Sequence, residues 1–491
     1  MTCPSENKII FHNTEDYFVH QFSTGCLSQY SYYIESNKEA IIIDPIRESD
    51  IYIEMLKQRG AKLKYILETH FHADFVSGHC ELSKMTGAEI VYVPNAETSF
   101  EAKITKDEDI LQIGNSKIKV FHTPGHTPES TSYILLDNSN TPKAIFTGDF
   151  LFLGEVGRPD LAVSGNITEK DLAGMLYNSI IKIKKFIPDD VVVFPGHGAG
   201  SACGKNISSG SRDTFGNQKK TNYALNDNLN KEEFIEIVTS NLSLPPKYFF
   251  HDVIMNKEGC QTTENIIKNS YQSITPEDFI KLSLDKDTVI IDSRDFQESI
   301  HGYYKGSHLI SLKMTYAITT ARMFSPNQKI LLVTNPGEER ESILRLARVG
   351  YENIIGFVEG GYKNLENYCL SQGLLESIVF LKTVQNDNLK TFIEEIIEKE
   401  NVEIIDVRER SEWENTGVIQ KANLVPLGNI EGRIEEFIKK GEQKPLAVYC
   451  RVGGRAALAG SILKKYGIPH VYSLGGIMNM IAQKVPLKKL K

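Results

Sequence analysis

Short apolar runs separated by polar segments set the pattern of the first half of the chain. Runs rich in Ile, Val and Tyr and bounded by Gly, Pro, Asp or Asn are typical of buried strands. Such runs occupy residues 40–43, 64–67, 89–93, 118–121, 144–146 and 191–194. Between some of them lies helical periodicity, as in residues 172–183. The pattern predicts a mixed α/β fold.

The second half of the chain contains an internal repeat, which follows a polar stretch at residues 256–273 that is typical of a linker. Segments beginning at Ile291, Lys329 and Glu359 resemble segments beginning at Ile405, Lys444 and Leu474, with offsets of 114, 115 and 115 residues. Because order and spacing persist across the whole copy, two similar domains are expected. We therefore predict three domains, at residues 1–256, 274–375 and 385–491.

Composition narrows the function classes. The chain has 491 residues, with 55 Lys plus Arg against 63 Asp plus Glu. This acidic balance argues against a nucleic-acid-binding surface. No apolar run approaches the roughly 18 residues of a membrane span, and no basic, then apolar, leader opens the sequence. Seven cysteines, never spaced C-x-x-C, favour free thiols in a reducing cytoplasm. The expectation is a cytoplasmic protein without nucleic-acid or membrane partners.

Histidine and aspartate side chains follow four of the predicted strands. In three of these segments a glycine directly precedes the histidine or aspartate. Imidazole and carboxylate groups are the ligand types of divalent iron, zinc and manganese. The sequence therefore predicts a metal centre among these residues. The candidates are His70, His72, Asp74, His126, Asp149 and His197.

The His-x-His-x-Asp, Pro-Gly-His-Thr, Thr-Gly-Asp and Gly-His motifs together resemble the metallo-β-lactamase superfamily, in its glyoxalase II-like branch. Residues 69–79 and 157–161 resemble the persulfide dioxygenases of that branch. The resemblance covers about the first 255 residues and implies an αββα sandwich. It assigns the metal ligands to His70, His126 and Asp149. His72, Asp74 and His197 would then orient those ligands.

One position departs from the superfamily pattern. The binuclear hydrolases usually carry a histidine directly after the motif aspartate, and here that residue is Phe75. We therefore predict one metal ion per chain, bound by two His and one carboxylate as in non-haem Fe(II) oxygenases. Iron(II) is the expected ion, with zinc possible in the purified protein. A zinc site formed by His70, His72 and His126 stays open as an alternative.

Two further residues are candidates for contact with the substrate in this domain. Arg158 could hold an anionic substrate, and a structural role for it is equally compatible with the sequence. Cys203 follows soon after His197 in a segment rich in Gly and Ser. Its thiol could meet the substrate or be oxidised there, and an ordinary loop cysteine is the alternative.

A cysteine in an anion-binding loop marks the last domain. The apolar run at residues 446–449 ends at Cys450, and a helical pattern begins at residue 456. A strand, a short loop and a helix N-terminus direct backbone N–H groups and the helix dipole toward one point. Gly453 and Gly454 allow such a loop to curl without Cβ clashes. The pattern predicts a nucleophilic thiolate.

This loop resembles that of the rhodaneses, which are sulfurtransferases. Four residues separate Cys450 from Arg455, whereas related phosphatases have five, so the smaller cradle suits a sulfur anion. The resemblance implies a persulfide on Cys450, held by backbone amides, with positive charge from Arg451 and Arg455. Val452 belongs to the same loop, whose residues set the sulfur acceptor in this family.

The middle domain lacks the nucleophile. The repeat aligns Asn335 with Cys450, although Arg340 aligns with Arg455. Two glutamates follow in the same loop and would repel an anion. We expect a catalytically inactive rhodanese copy that serves as a spacer or as a dimer surface in a homo-oligomer.

Together the resemblances imply a persulfide dioxygenase joined to a sulfurtransferase. A low-molecular-weight persulfide of glutathione, coenzyme A or a similar thiol would be oxidised by O₂ to sulfite. Cys450 would carry sulfane sulfur to sulfite and form thiosulfate, in a role of sulfide detoxification; the reverse transfer, from thiosulfate to a thiol, stays open. Two alternatives stay open. One is a glyoxalase II-like thioester hydrolase that uses metal-bound hydroxide, and the other is a sulfur-relay protein without oxidative activity.

Overall fold

The computed structural model describes residues 11–13, 16–93, 96–163, 167–242, 244–384, 388–399 and 401–490. Two compact units make up this part of the chain. One holds the described residues through Asn265 together with Ala347–Gly350, and the other holds Ile266–Leu346 and the chain from Tyr351 onward. Residues 1–10 of the first expected domain and residue 385, where the third was expected to begin, lie outside the described residues.

Two sheets form the centre of the first unit. The first sheet has seven strands that pair in chain order: β1 (Phe11–Asn13), β2 (Phe18–Thr24), β3 (Gln29–Ser36), β4 (Glu39–Ile43), β5 (Lys62–Leu67), β6 (Glu89–Tyr92) and β7 (Lys103–Ile104). The second has six strands in the order β13-β12-β11-β10-β9-β8. These are β8 (Ile110–Ile113), β9 (Ser116–His122), β10 (Thr131–Leu136), β11 (Pro142–Gly148), β12 (Val192–Pro195) and β13 (Asp213–Thr214).

Helices flank these two sheets. The longest, α3, begins at the capping box of Thr168 and Asp171, in which each side chain satisfies the other's backbone N–H. The helices in this part of the chain are α1 (Asp50–Arg59), α2 (His79–Thr86), α3 (Glu169–Phe186), α4 (Phe215–Thr221), α5 (Lys231–Thr239), α6 (Tyr248–Glu258) and α7 (Thr263–Ser270).

Three apolar layers explain why the strands are so strongly hydrophobic. The central layer joins the two sheets, with Ile41 of the first packed near Val120 of the second. An outer layer buries α1 and α2 against the first sheet, and another buries α3 and α5 against the second. β10 is buried on both faces, as a central strand between two such layers must be. The αββα sandwich expected from the sequence is confirmed.

The second unit contains two five-stranded parallel sheets of the same topology, so the internal repeat is confirmed. In the middle copy the order is β14 (Ser273–Ile274), β19 (Ile354–Val358), β18 (Lys329–Val333), β15 (Thr288–Asp292) and β17 (Ser307–Leu309). In the last copy it is β21 (Lys382–Thr383), β26 (Val471–Gly476), β25 (Leu446–Cys450), β22 (Glu403–Asp406) and β24 (Asn423–Leu424). Two-stranded ribbons accompany them, formed by β16 (Tyr303–Tyr304) with β20 (Ile378–Val379), and by β23 (Val418–Ile419) with β27 (Leu487–Lys488).

The helices of the second unit pack on these sheets. They are α8 (Pro276–Ser283), α9 (Phe296–Ser299), α10 (Tyr316–Met323), α11 (Glu339–Ala347), α12 (Gly361–Ser371), α13 (Leu389–Lys399), α14 (Arg410–Thr416), α15 (Ile434–Gln443), α16 (Gly454–Lys465) and α17 (Ile477–Ala482). Nowhere in the described parts of the chain is a helix both long and apolar enough to cross a membrane.

The polar stretch at residues 256–273, which the sequence predicts to be a linker, contains the end of α6 and all of α7. The boundary between the two units lies inside it, between Asn265 and Ile266. α7 is mostly polar and buries only Ile266 and Ser270. Two buried positions are too few for a helix to be recognised from its hydrophobic pattern, although they are enough for this helix to pack.

The single tryptophan places a fluorescence probe of unfolding in the last copy. Trp413 lies on α14, so its fluorescence reports unfolding of this copy. Ile477 on α17 is fully buried in the core of the copy, and Ile481 on the same helix is 42% exposed. Replacing Ile477 by Ala should lower the free energy of unfolding by about 2–5 kcal/mol, measured by urea titration. Ile481→Ala is the matched control and should cost under about 1 kcal/mol; equal losses would contradict this packing.

Candidate active sites

Strand ends bring the His and Asp candidates of the first unit together. His70 follows β5, His126 follows β9, Asp149 follows β11 directly, and His197 follows β12. β5 belongs to the first sheet and the other three strands belong to the second. The ligand atoms of His70, His126 and Asp149 lie within 4.8 Å of one another, and all three residues are buried. The structure thus joins the three residues that the resemblance assigned as ligands.

The spacing inside this trio fits a metal ion. Asp149 Oδ2 lies 3.9 Å from His70 Nε2 and 3.7 Å from His126 Nε2, and it is buried without a hydrogen-bond partner. These distances are too long for hydrogen bonds, and a buried oxygen without a partner needs an explanation. A cation between two imidazoles and a carboxylate supplies that partner, and this donor set suits Fe(II) or Zn(II).

Hydrogen bonds on the far side of each imidazole aim Nε2 at the centre. His126 Nδ1 donates to the carbonyl oxygen of Arg158 at 2.8 Å. His70 Nδ1 lies 3.0 Å from Thr69 Oγ1, and that hydroxyl donates to Asp44 Oδ2 at 2.8 Å, so it accepts from His70. With Nδ1 protonated, Nε2 of each ring is the free ligand atom.

Two glycines permit the close approach of these loops. Gly125 precedes His126 with a φ of 147°, and a Cβ there would overlap the backbone of Leu176 on α3. Gly148 precedes Asp149 with a φ of 50°, and a Cβ there would overlap the side chain of Thr69. Both conformations strain residues that carry a Cβ, so the glycines in these motifs have a steric cause.

His197 bridges two carboxylates. Its Nδ1 lies 2.8 Å from Asp149 Oδ1, and its Nε2 lies 2.8 Å from Asp74 Oδ2. Burial opposes the charged form, but the carboxylates of Asp149 and Asp74 raise the pKa of His197 well above its ordinary value. His197 therefore fixes the oxygen of Asp149 that does not face His70 and His126.

His72 faces a separate pair of carboxylates. Its Nε2 lies 3.1 Å from Asp44 Oδ1 and 3.4 Å from Glu68 Oε2. Burial opposes the charge of this ring, but Asp44 and then Glu68 raise the pKa of His72 to about 10. The ligand atom of His72 thus groups with those of Asp44 and Glu68, whereas the alternative three-histidine zinc site would need it beside those of His70 and His126. Phe75 packs on the ring of His72, with centroids 4.2 Å apart.

Asn256 is a residue that the sequence analysis missed. Its buried side chain accepts from Ser77 N and donates to the carbonyl oxygens of His72 and Phe75, each at 2.8 Å. These bonds clamp the loop that carries the first histidines. Asn256 lies 184 residues from His72 in sequence, on a helix that no local motif marks, so only the folded chain reveals the contact.

Arg158 and Cys203 are both buried. The guanidinium of Arg158 makes a two-point ion pair with Asp160, at 2.6 and 2.7 Å, so its charge is already offset. Its backbone N–H donates to the carbonyl oxygen of Cys203 at 3.0 Å. Cys203 packs with Phe152 and Ile207. Burial, together with the nearby charges of Asp74 and Asp149, raises the pKa of the Cys203 thiol.

The second centre lies at the end of β25. Cys450 ends this strand, α16 begins at Gly454, and the N–H of Gly453 donates to Cys450 Sγ at 3.1 Å. Gly453 has a φ of 136°, a conformation that favours glycine. Cys450 is 1% exposed, whereas the next two residues, Arg451 and Val452, are exposed.

Arg455 has a partner that the sequence did not indicate. Its two terminal nitrogens each donate to Glu412 at 2.7 Å, in a bidentate pair. Burial opposes the charge of Arg455, but the hydrogen bonds that it donates to Glu412 raise its pKa. Because Glu412 offsets this charge, Arg451 and the backbone amides are left as the main source of positive potential around Cys450.

The corresponding loop of the middle copy is filled by its own side chains. The N–H of Gly337 donates to the carboxylate of Glu339 at 2.8 Å, and Asn335 Nδ2 donates to Glu338 Oε2 at 3.1 Å. Arg340, which aligns with Arg455, is exposed. In addition to the missing thiol, a carboxylate of the chain itself thus already accepts from one backbone N–H of this loop.

Comparison with known families covers most of the chain. The Metallo-beta-lactamase superfamily matches residues 24–197, and the Rhodanese-like domain matches residues 275–368 and again 390–483. The chain belongs to the metallo-β-lactamase superfamily and carries two rhodanese domains in tandem after the first domain.

Two kinds of enzyme are found among the similar proteins. A hydroxyacylglutathione hydrolase of Pelagibacter ubique (strain HTCC1062) is 35% identical over 178 residues, which are 35% of this chain and 68% of that protein. The mitochondrial persulfide dioxygenase of Homo sapiens is 28% identical over 45% of this chain and 79% of its own length. For other hydroxyacylglutathione hydrolases, such as that of Francisella philomiragia, the chain spans 65% of their length, just under two thirds.

A solved structure resembles more of the chain. The crystal structure of a metallo-beta-lactamase from Staphylococcus aureus subsp. aureus COL is 29% identical, with a TM-score of 0.61, and it covers 70% of this chain and 99% of its own. Its coverage extends beyond the length of the first domain, so the likeness includes part of the rhodanese region.

The geometry predicts graded losses of metal affinity. Replacing His126 by Ala removes a ligand and should abolish stoichiometric binding. Asn256→Ala, which only loosens the loop, should weaken binding by about 10–100-fold. His122, a half-buried histidine whose Nε2 meets the carbonyl oxygen of Pro128, provides the matched control, and His122→Ala should leave affinity unchanged. Competition with a chromophoric chelator measures all three; similar affinity for His126→Ala and the unsubstituted protein would contradict this ligand set.

Proposed function

We propose that the chain is a bifunctional persulfide dioxygenase and sulfurtransferase. In the first step a small-thiol persulfide is oxidised: R-SSH + O₂ + H₂O gives R-SH, sulfite and two protons. In the second step a persulfide sulfur carried on Cys450 passes to sulfite: Cys450-S-S⁻ + SO₃²⁻ gives Cys450-S⁻ + S₂O₃²⁻. The substrates are sulfur compounds, and the carrier thiol is glutathione, coenzyme A or a similar molecule.

The observation that carries the first activity is the trio of His70, His126 and Asp149 next to Phe75. Two imidazoles and one carboxylate leave several positions open on a single ion, as O₂ chemistry requires. A phenyl ring stands where the binuclear hydrolases carry a further ligand. Asp74 and His197, which lie in the same neighbourhood, face each other, with His197 Nε2 2.8 Å from Asp74 Oδ2.

Iron(II) held by the trio would supply the activation of O₂. The protein's own contribution is orientation. Arg158 and Thr69 hold the far nitrogens of the two ligand imidazoles, and His197 holds the second oxygen of Asp149. Because all of these groups are buried, the centre excludes bulk water and the geometry of the ligands is fixed in advance.

In the sulfurtransferase step the loop stabilises anionic sulfur. The N–H of Gly453 already points at Cys450 Sγ, and the N-terminus of the twelve-residue helix α16 adds positive potential. A persulfide reaches Cys450 by exchange, R-SSH + Cys450-S⁻ giving R-SH + Cys450-S-S⁻. Thiosulfate can also donate in the reverse direction, so the ratio of sulfite to thiosulfate sets the direction of this step.

Thioester hydrolysis is the second candidate, because hydroxyacylglutathione hydrolases are as similar to the first domain as the persulfide dioxygenase is. Such a reaction would depend on a metal-bound hydroxide as nucleophile. Phe75 distinguishes the two candidates. A second ion in this neighbourhood would lack the nitrogen ligand that the hydrolases place there.

Oxygen uptake tests the proposal directly. Anaerobically purified protein loaded with Fe(II) should consume O₂ when glutathione persulfide or coenzyme A persulfide is added. Thiosulfate should accumulate with the unsubstituted chain, whereas Cys450→Ser should accumulate sulfite at an unchanged rate of O₂ uptake. Absence of uptake with every persulfide, under conditions where one iron is bound, would exclude the dioxygenase.

Substitution at Phe75 separates the dioxygenase from the hydrolase. Phe75→His restores a nitrogen ligand, so metal content should rise from one toward two ions per chain and O₂ uptake should fall. Phe75→Leu is the control of similar polarity and should keep one ion. Elemental analysis and a thioester assay with S-lactoylglutathione measure both effects. Two ions and rapid thioester hydrolysis in the unsubstituted protein would favour the hydrolase.

A further inference from the structure

Two cysteines that neither site uses lie close together in the first unit. Cys80 is the second residue of α2, and Cys260 follows Gly259, at which α6 ends. A Cβ at Gly259 would lie 3.7 Å from Cys80 Sγ. Beside this contact, Glu81 accepts hydrogen bonds from the backbone N–H of Thr263 at 3.0 Å and from its hydroxyl at 2.7 Å. The turn that carries Cys260 is therefore held against the first turn of α2 on both sides of Cys260.

The surroundings of these two thiols differ from those of the other cysteines. Of the six cysteines that the structure describes, Cys80 and Cys260 are half-buried, and the remaining four are buried. Burial, and then the neighbouring Cys260 and Glu68, raise the pKa of the Cys80 thiol to about 12. A thiol that stays protonated is a poor nucleophile. Cys80 is therefore suited to react only with a group held beside it, and the position of Cys260 provides this proximity.

The same two segments also meet at the loop that carries the first histidines. α2 begins directly after that loop, and α6 carries Asn256, whose side chain hydrogen-bonds to the backbone of the loop at three points. Cys80 comes three residues after Ser77, the last of these points, and Cys260 comes four residues after Asn256. A covalent bond between the two sulfurs would therefore be a second tie between segments that Asn256 already joins.

We propose that Cys80 and Cys260 form a redox-active pair that a low-molecular-weight persulfide converts into a disulfide. In the first step Cys260 takes the outer sulfur of the persulfide: Cys260-SH + R-SSH gives Cys260-S-SH + R-SH. In the second step Cys80 attacks Cys260 Sγ and the outer sulfur leaves: Cys80-SH + Cys260-S-SH gives Cys80-S-S-Cys260 + H₂S. The two thiols lose two electrons and two protons, which reduce the persulfide to R-SH and H₂S.

Persulfide is also the substrate class of the proposed dioxygenase, but the pair depends on thiol chemistry alone and goes beyond that activity. The bridge forms when persulfide is present in excess of what the metal site consumes. A disulfide restricts the loosened states of the segments that it joins, and here these segments are the helix after the metal-binding loop and the end of the helix that clamps this loop. The bridged protein therefore holds the loop even when the hydrogen bonds of Asn256 are lost.

Mass spectrometry tests the bridge itself. The full chain is incubated with glutathione persulfide in the absence of O₂, the excess reagent is removed, the remaining thiols are blocked with iodoacetamide, and the protein is digested without a reductant. The peptides of Cys80 and Cys260 should be recovered as one cross-linked species, two hydrogen atoms lighter than their sum. In Cys80→Ser, Cys260 should instead carry one additional sulfur. Separate alkylated peptides for both cysteines of the unsubstituted chain would contradict the pair.

Cys450 separates this proposal from the proposed sulfurtransferase in the same experiment. Its peptide should gain sulfur from glutathione persulfide if the sulfurtransferase proposal is correct. If the cross-link forms and Cys450 gains no sulfur, the pair stands and the proposed sulfur transfer fails. If Cys450 gains sulfur and no cross-link forms, the pair fails alone. Cys369, fully buried in the core of the middle copy, is the matched control and should gain neither sulfur nor a cross-link.

Metal affinity tests the consequence of the bridge. Competition for Zn(II) with a chromophoric chelator is measured for Asn256→Ala before and after treatment with persulfide. The substitution should weaken binding by about 10–100-fold in the reduced form and by less than about tenfold in the bridged form, because the disulfide then holds the same segments. With Cys260→Ser added, no bridge can form and the two losses should be equal. Equal losses when both cysteines are present would contradict the tie to the metal-binding loop.

Discussion

The buried carboxylate of Asp149 is the constraint on which the first centre depends. A charge removed from water is costly unless each oxygen finds a partner. His197 satisfies one oxygen, and the other faces His70 and His126 without a hydrogen bond. Because Asp149 follows a strand of the second sheet and His70 a strand of the first, this side chain lies where the two sheets meet at one edge of the sandwich. The positions of the metal ligands therefore depend on how the two sheets pack.

Much of this was predictable from local pattern. The apolar runs predicted the strands, and the fixed offsets predicted the repeat, because both signals lie within short stretches of sequence. The partners of the predicted residues were not predictable. Asn256 reaches a loop far away along the chain, and Glu412 neutralises Arg455 from a different helix. Such contacts depend on tertiary packing, for which a single sequence carries no periodic signal.

The two rhodanese copies show how one loop geometry supports opposite outcomes. Each places a turn between a buried strand and a helix N-terminus, where backbone N–H groups attract negative charge. In the last copy the sulfur of Cys450 meets the amide of Gly453. In the middle copy the carboxylate of Glu339 meets the amide of Gly337. The loop of the inactive copy thus still attracts negative charge, and a carboxylate of the same loop supplies it.

Helix α16 buries every residue from Ala456 to Leu463, and part of it lies against the middle copy, where Leu309 N donates to Ser461 Oγ. This burial has a consequence for modularity. A tandem repeat suggests parts that can be excised or exchanged between proteins one at a time. Here the last copy, cut away by itself, would expose an apolar helix face that is covered in the intact chain, and exposed patches of this kind promote aggregation. The smallest transferable piece is then the pair of copies, which the chain builds as one compact unit from Ile266 onward. Recombination and engineering would have to move it whole.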